Sequence, residues 1–162
     1  MNEAHFHLAV NHLPIIIPAI AAIIMAGGFI FKSEIVKRTA YVIFILGAIS
    51  TFVAFSSGEG AEEIVEHMGA DHHLIHEHEE VAEKFALCSH VLGLLSIIGL
   101  WANYKRKRFS NIIAALVLVA SLVVLFFGRQ TGTTGGEIMH KEIRADFKAG
   151  AEEEHEGEYD AD

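Results

Sequence analysis

The chain has 162 residues, enough for one domain, and 52 % of them are apolar, which with a positive mean hydropathy sets it apart from ordinary soluble domains. A formal net charge of −9 argues against a nucleic-acid partner, because phosphates would meet no neutralising surface. The single cysteine, Cys88, excludes an intrachain disulfide and reads as a small buried packing residue.

The first apolar segment, Leu13 to Phe31, follows the stretch HFHLAVNHLPI. Nothing basic precedes it, Glu3 is acidic and no small-residue cleavage site follows, so it is expected to be a retained span rather than a cleaved signal. His5 and His12 share a helix face, His7 points elsewhere, and Pro14 and Pro18 open the backbone nearby. The second apolar segment is Ala40 to Phe55, the third Phe85 to Tyr104 and the fourth Phe109 to Gly128. Each approaches the ~20 residues that a helix needs to cross a ~30 Å hydrocarbon layer, the second with help from its polar flanks.

Between the second and third spans lies a long polar connection, Ser56 to Lys84, which reads as two helical pieces around a turn at Met68 to Asp71. Its second piece begins with HHLIHEHEE, nine residues with four histidines and three carboxylates, and runs into the third span without Gly or Pro. On that helix His76, Glu80, Glu83, Leu87 and His90 repeat at helical spacing and form one stripe that ends at His90, inside the apolar segment. An ionisable side chain at that depth is a functional candidate, and a neutral imidazole is the form that binds metals. After the fourth span, Arg129 is expected to have an anionic partner. The run Gly132 to Gly136 is expected to turn, and Glu137 and His140 then sit three apart on a short surface helix, a spacing used in carboxylate-bridged metal bundles. Ala151 to Asp162 reads as part of an acidic, disordered tail in which His155 carries no separate role.

Charge sets the expected orientation. Lys32, Lys37 and Arg38 lie between spans one and two, and Lys105 to Arg108 between spans three and four, so both short loops are expected to be cytoplasmic. Seven of the twelve Lys/Arg and one of the 21 acids then lie inside, and five Lys/Arg with twenty acids lie outside, while all eleven histidines fall on the outer side or in the outer half of a span. The expected architecture is all-α: an up-down bundle of four transmembrane helices at residues 1–142, the third helix extended outside the membrane, then a tail at 143–162. The expected location is the bacterial inner membrane, with both termini extracytoplasmic.

Two chemistries fit this arrangement. Helices one and three sit on the diagonal of such a bundle, where His12 and His90 can hold haem b between them with Arg129 on the propionates. Alternatively His7, His12, His76, Glu80, His90, Glu137 and His140 supply mixed imidazole and carboxylate ligands for Zn, Fe or Mn. A third expectation is a structural subunit of a membrane complex. No nucleophile–base arrangement, phosphate loop or dinucleotide fingerprint points to catalysis.

A set of short motifs runs from Phe6 to about Glu142: His7-x4-His12-x-Pro14 before the first span, Ser57-Gly58 with Ala61 at the exit of the second, His78-x3-Ala82 entering the third and Gly135-Gly136 after the fourth. In these the chain resembles a family of bacterial four-span membrane proteins catalogued as a domain of unknown function, some of whose members are fused to Rieske iron–sulfur domains. It departs from that pattern at Asn11-His12-Leu13, where an apolar residue and Phe are expected around the second histidine, and in its richer His/Glu connection. The resemblance implies quinone-linked or periplasmic electron transfer, with a membrane or periplasmic redox protein or a quinone as partner, and favours haem b over a non-haem metal.

Overall fold

The computed structural model describes residues 2–145 and 147, which are helical apart from short turns, with no strand among them. Asn2 starts α1 (Glu3–Val10) by accepting the His5 N–H at 2.9 Å. The helix stops at Asn11–His12 because Pro14 has no N–H to give the Val10 carbonyl and its ring crowds that oxygen. α2 (Leu13–Ile30) restarts with Pro14 in its first turn and carries Pro18 inside. It ends at Lys32, whose φ of 50° places it in the left-handed region, and the Ser33 N–H closes back on the Gly28 carbonyl at 3.0 Å. The turn after Tyr104 repeats this device with Arg106 at φ 49° and the Lys107 N–H on the Ala102 carbonyl at 2.9 Å. Both basic turns are therefore tight helix stops, not extended loops.

Ser33 caps α3 (Glu34–Ser56), and the chain bends at Ser57 into α4 (Gly58–His67). Gly69, at φ 85°, ends α4, and Asp71 caps α5 (His72–Tyr104) by accepting the His73 N–H at 2.8 Å. At 33 residues α5 is roughly 50 Å long, well beyond the ~30 Å of a hydrocarbon layer, so its first turns project past its apolar part. α6 (Ser110–Met139) runs without interruption through Gly132–Gly136 and is followed by a single 3-10 turn, Lys141–Ile143. The expected glycine turn and separate surface helix do not form. Small residues are needed there for packing, since a Cβ at Gly136 would lie 3.0 Å from Ile143 and one at Gly135 would lie 2.9 Å from His78.

With α1–α2 and α3–α4 each taken as one bent rod, four helices are long and apolar enough to cross a membrane. α2 packs on α3, α3 on α5, α5 on α6 and α6 back on α2, while α1 lies against α4. Small residues take many inward positions, around Met25, Tyr41, Phe44 and Leu92, while many large ones face outward. Ala21, Ala40, Gly47, Ser89, Gly93, Ser96, Ala114 and Ser121 are buried, whereas Ile23, Phe52, Leu94, Ile112 and Phe126 are exposed. Small residues at the helix seams with exposed bulk outside suit helices that meet through close backbone contact and turn apolar side chains to lipid. A Cβ on Gly93 would lie 2.5 Å from the Ala48 Cβ, so α3 and α5 are in near-backbone contact.

The basic end is tied by polar contacts. Lys37, 4 % exposed, bonds Glu34 at 2.8 Å and Asn111 at 2.7 Å, and Asn103 joins the same group by accepting from Arg38 at 2.6 Å and donating to Glu34. Arg38 lies over Tyr104 and Lys107 over Trp101, the aromatic and cationic pairing of a membrane–water boundary.

Candidate functional site

At the opposite end the rods meet through two polar pairs, His7 of α1 with Ser57 at the α3–α4 bend, and His78 of the projecting turns of α5 with Thr134 of α6. The bend at Asn11–His12 turns α1 onto α4, so that His7 reaches Ser57 and lies over Gly58, where a Cβ would be 3.9 Å from its Cε1. His78 sits flush on α6, and its approach requires that residue 135 have no side chain: a Cβ there would lie 2.9 Å from Cε1 and 3.2 Å from Nδ1.

Each ring is seated on a hydroxyl through Nδ1. His7 Nδ1 lies 2.9 Å from the Ser57 Oγ, which also has the Ala54 carbonyl at 2.7 Å, and His78 Nδ1 lies 3.1 Å from the Thr134 Oγ1, which also has the Gln130 and Thr131 carbonyls at 3.2 and 3.3 Å. Where the hydroxyl gives its proton to a carbonyl, the ring donates from Nδ1 and Nε2 keeps a lone pair. The rings are half-buried, where the neutral imidazole is the cheaper form.

The other outer histidines are placed differently. His72 pairs with Glu66 at 3.1 Å, His73 with Glu77 at 3.8 Å, His76 with Glu79 at 3.9 Å and Glu80 at 3.6 Å, and His140 with Glu142 at 2.9 Å. These side chains are largely exposed, His76 at 73 % and Glu80 at 58 %. The stripe from His76 through Glu80 and Glu83 to Leu87 thus runs along the outer surface of α5, because Phe85, Ser89, Leu92 and Ser96 claim the inward face; only His90, at its end, is half-buried. His90 packs edge-on against Phe52 of α3 at 6.4 Å, and its Nε2 is buried with no hydrogen-bond partner. His12 is exposed at the start of α2 and its side chain caps nothing. Arg129 has no ion-pair partner among the described residues and lines an open groove between α5 and α6 with Glu137, Thr133 and Phe126. His155 lies outside the described residues.

Among the described residues, no group of three or more His, Cys, Asp or Glu is arranged to hold a metal ion. The structure gathers instead two imidazoles with two hydroxyls behind them. His7 belongs to the set expected from the sequence; His78, Ser57 and Thr134 do not. The signal for His78 is its position three residues after Ile75 and seven before Phe85, on the buried face of α5. Ser57, Gly58, His78 and Gly135 all belong to the short motifs that carry the family resemblance. No protein-family model, no curated protein and no solved structure matches the chain.

Proposed function

We propose that this protein is an integral protein of the bacterial cytoplasmic membrane, an up-down four-helix bundle with both ends outside, that binds a transition-metal ion through His7 and His78 at its exofacial end. One observation carries the reading: His7 and His78, on different helices, each rest Nδ1 on a hydroxyl of another helix, at 2.9 and 3.1 Å, and where those hydroxyls give their protons to backbone carbonyls both Nε2 lone pairs are left free. A metal-bound imidazole characteristically donates its other N–H to such an oxygen, which fixes the ring and strengthens its lone pair. Imidazole nitrogen without carboxylate suits Zn, Cu, Fe or Ni better than Mg, Ca or Mn.

The second reading is haem b for electron transfer, with a quinone or an extracytoplasmic redox protein as partner. It rests on the buried, unpartnered Nε2 of His90, which lacks the hydrogen bond that a structural histidine inside a bundle usually makes. His12 would supply the second axial ligand and Arg129 the propionate contact. The resemblance to the four-span family supports this reading.

Elemental analysis and an absorption spectrum of the detergent-solubilised protein separate the two. The metal reading expects a transition metal in wild type that is lost in His7→Ala and in His78→Ala and kept in His90→Ala, with no Soret band. A Soret band that disappears in His90→Ala and survives in His7→Ala assigns the cofactor to haem and removes the metal site.

A further inference from the structure

Resting on the bilayer placement proposed above, and independent of the metal ion, we infer that the groove between α5 and α6 holds the head group of a zwitterionic phospholipid with a primary ammonium, a phosphatidylethanolamine. The groove has a volume of about 380 Å³, with Val81 of α5 on one wall and Phe126, Arg129, Gln130, Thr133 and Glu137 of α6 on the other. At ~30 Å³ per water molecule that is room for about a dozen waters, enough for a head group and too little for its acyl chains. The five α6 residues recur at helical spacing on one face. From the apolar part outward that wall therefore offers an aromatic ring, a cation, an amide, a hydroxyl and then an anion. Val119 and Leu122, 61 % and 59 % exposed, continue the same face below Phe126 as a lane for the chains.

Charge selects the occupant. Arg129 has no ion-pair partner among the described residues, although it stands at the end of the bundle where acids outnumber Lys and Arg. Other cations there are already engaged: Lys84 by Glu80 at 3.6 Å, and Arg144 by the carbonyls of Glu137 and Ile138 at 2.7 and 3.1 Å. A free guanidinium at the edge of a bilayer is matched by a lipid phosphate, which it binds through two parallel N–H donors. Glu137 also has no ion-pair partner among the described residues, and it stands eight residues, about 12 Å of helical rise, farther out. The long Arg129 stem can extend outward, and a helical side chain such as Glu137 leans back toward the N-terminal turn, so the two charges converge across Thr133. Thr133, whose hydroxyl donates to the Arg129 carbonyl at 3.1 Å, adds an acceptor beside the carboxylate. A head group whose ammonium follows its phosphate outward meets both charges in order. An anionic head brings no cation to Glu137 and is repelled by the acidic end, and a quaternary ammonium has no N–H to donate.

The test is a lipid titration of the full-length, detergent-solubilised protein read by native mass spectrometry. Phosphatidylethanolamine, phosphatidylcholine and phosphatidylglycerol with identical chains are compared, and flotation with phosphatidylcholine vesicles checks bilayer insertion separately. Wild type is expected to retain one phosphatidylethanolamine per chain roughly tenfold more tightly than either of the others. Arg129→Gln is expected to weaken that binding about tenfold. Glu137→Gln is expected to bring phosphatidylethanolamine and phosphatidylcholine within about twofold of each other, and Glu137→Lys to move the preference to phosphatidylglycerol. Lys141→Gln, which removes a cation at the same end but outside the groove, is expected to change none of these. Equal retention of the three lipids by wild type that floats with vesicles overturns the inference and leaves the bilayer placement standing, as does a phosphatidylethanolamine preference that survives both Arg129→Gln and Glu137→Gln. Protein that does not float overturns the placement and the inference together.

Discussion

Gly135→Ala probes the seat of His78 without touching a ligand atom. The added Cβ would lie 2.9 Å from the ring's Cε1 and 3.2 Å from Nδ1. Carbon atoms rest at about 3.5 Å or more, so the ring has to retreat from α6 by at least ~0.6 Å. Thr134 is on the same helix, and its 3.1 Å bond to Nδ1 then stretches to roughly 3.7 Å, beyond hydrogen-bonding range. The loss is about 1 kcal/mol of hydrogen bonding, a small change for the fold because a side chain, not a backbone, gives way. For the ion it matters more, since freeing the ring from its orienting oxygen lowers metal affinity by roughly 10- to 100-fold. The assay is metal titration beside thermal unfolding in the same detergent. Metal affinity within about twofold of wild type, in a preparation where His78→Ala has lost the ion, would refute the claim that the α6 seat orients this imidazole.

Gly93→Ala is the converse case: its Cβ would meet the Ala48 Cβ at 2.5 Å, both atoms are fixed to backbone, and α3 and α5 must part. It is expected to cost ~1–3 kcal/mol of stability, seen as a lowered unfolding temperature, with metal affinity unchanged. Asn103→Leu removes the side chain that links Arg38 to Glu34 at the basic end and is expected to destabilise by ~1–3 kcal/mol without altering metal content, as measured by the same two assays. Metal binding is expected to fall as pH drops through and below the ordinary imidazole range, because protons then compete for the ring lone pairs, and to return when pH is raised; an equilibrium-dialysis pH series checks the sign.

The four long helices were legible in the sequence because lipid-facing Ile, Leu, Val and Phe leave continuous apolar runs, and the basic turns at Lys32 and Arg106 mark where the runs end. The break before Leu13 was readable in part, through Pro14. The Gly132–Gly136 run misled, since low helix propensity argues for a turn, yet these residues stay helical where the backbone must approach His78 and Ile143. The ligand stripe on α5 was the most regular pattern in the outer segment, and regularity selected a solvent-facing row. Ile75, His78, Phe85, Ser89 and Leu92 share the buried face, but one histidine among apolar residues does not announce a site. Nor does any local pattern reveal that His7 meets Ser57 and His78 meets Thr134, because those pairs depend on the bend at Ser57 and on residues 50 and 56 positions apart in the chain.

The ring nitrogens themselves report the central claim most directly. In protein labelled with 15N at its eleven histidines, two imidazoles assigned by His7→Ala and His78→Ala should carry their proton on Nδ1 without metal, and their Nε2 resonances should move when the ion is added. Nε2 protonation of either ring in the metal-free protein, or metal-induced shifts confined to His72, His73, His76 or His90, would contradict the account.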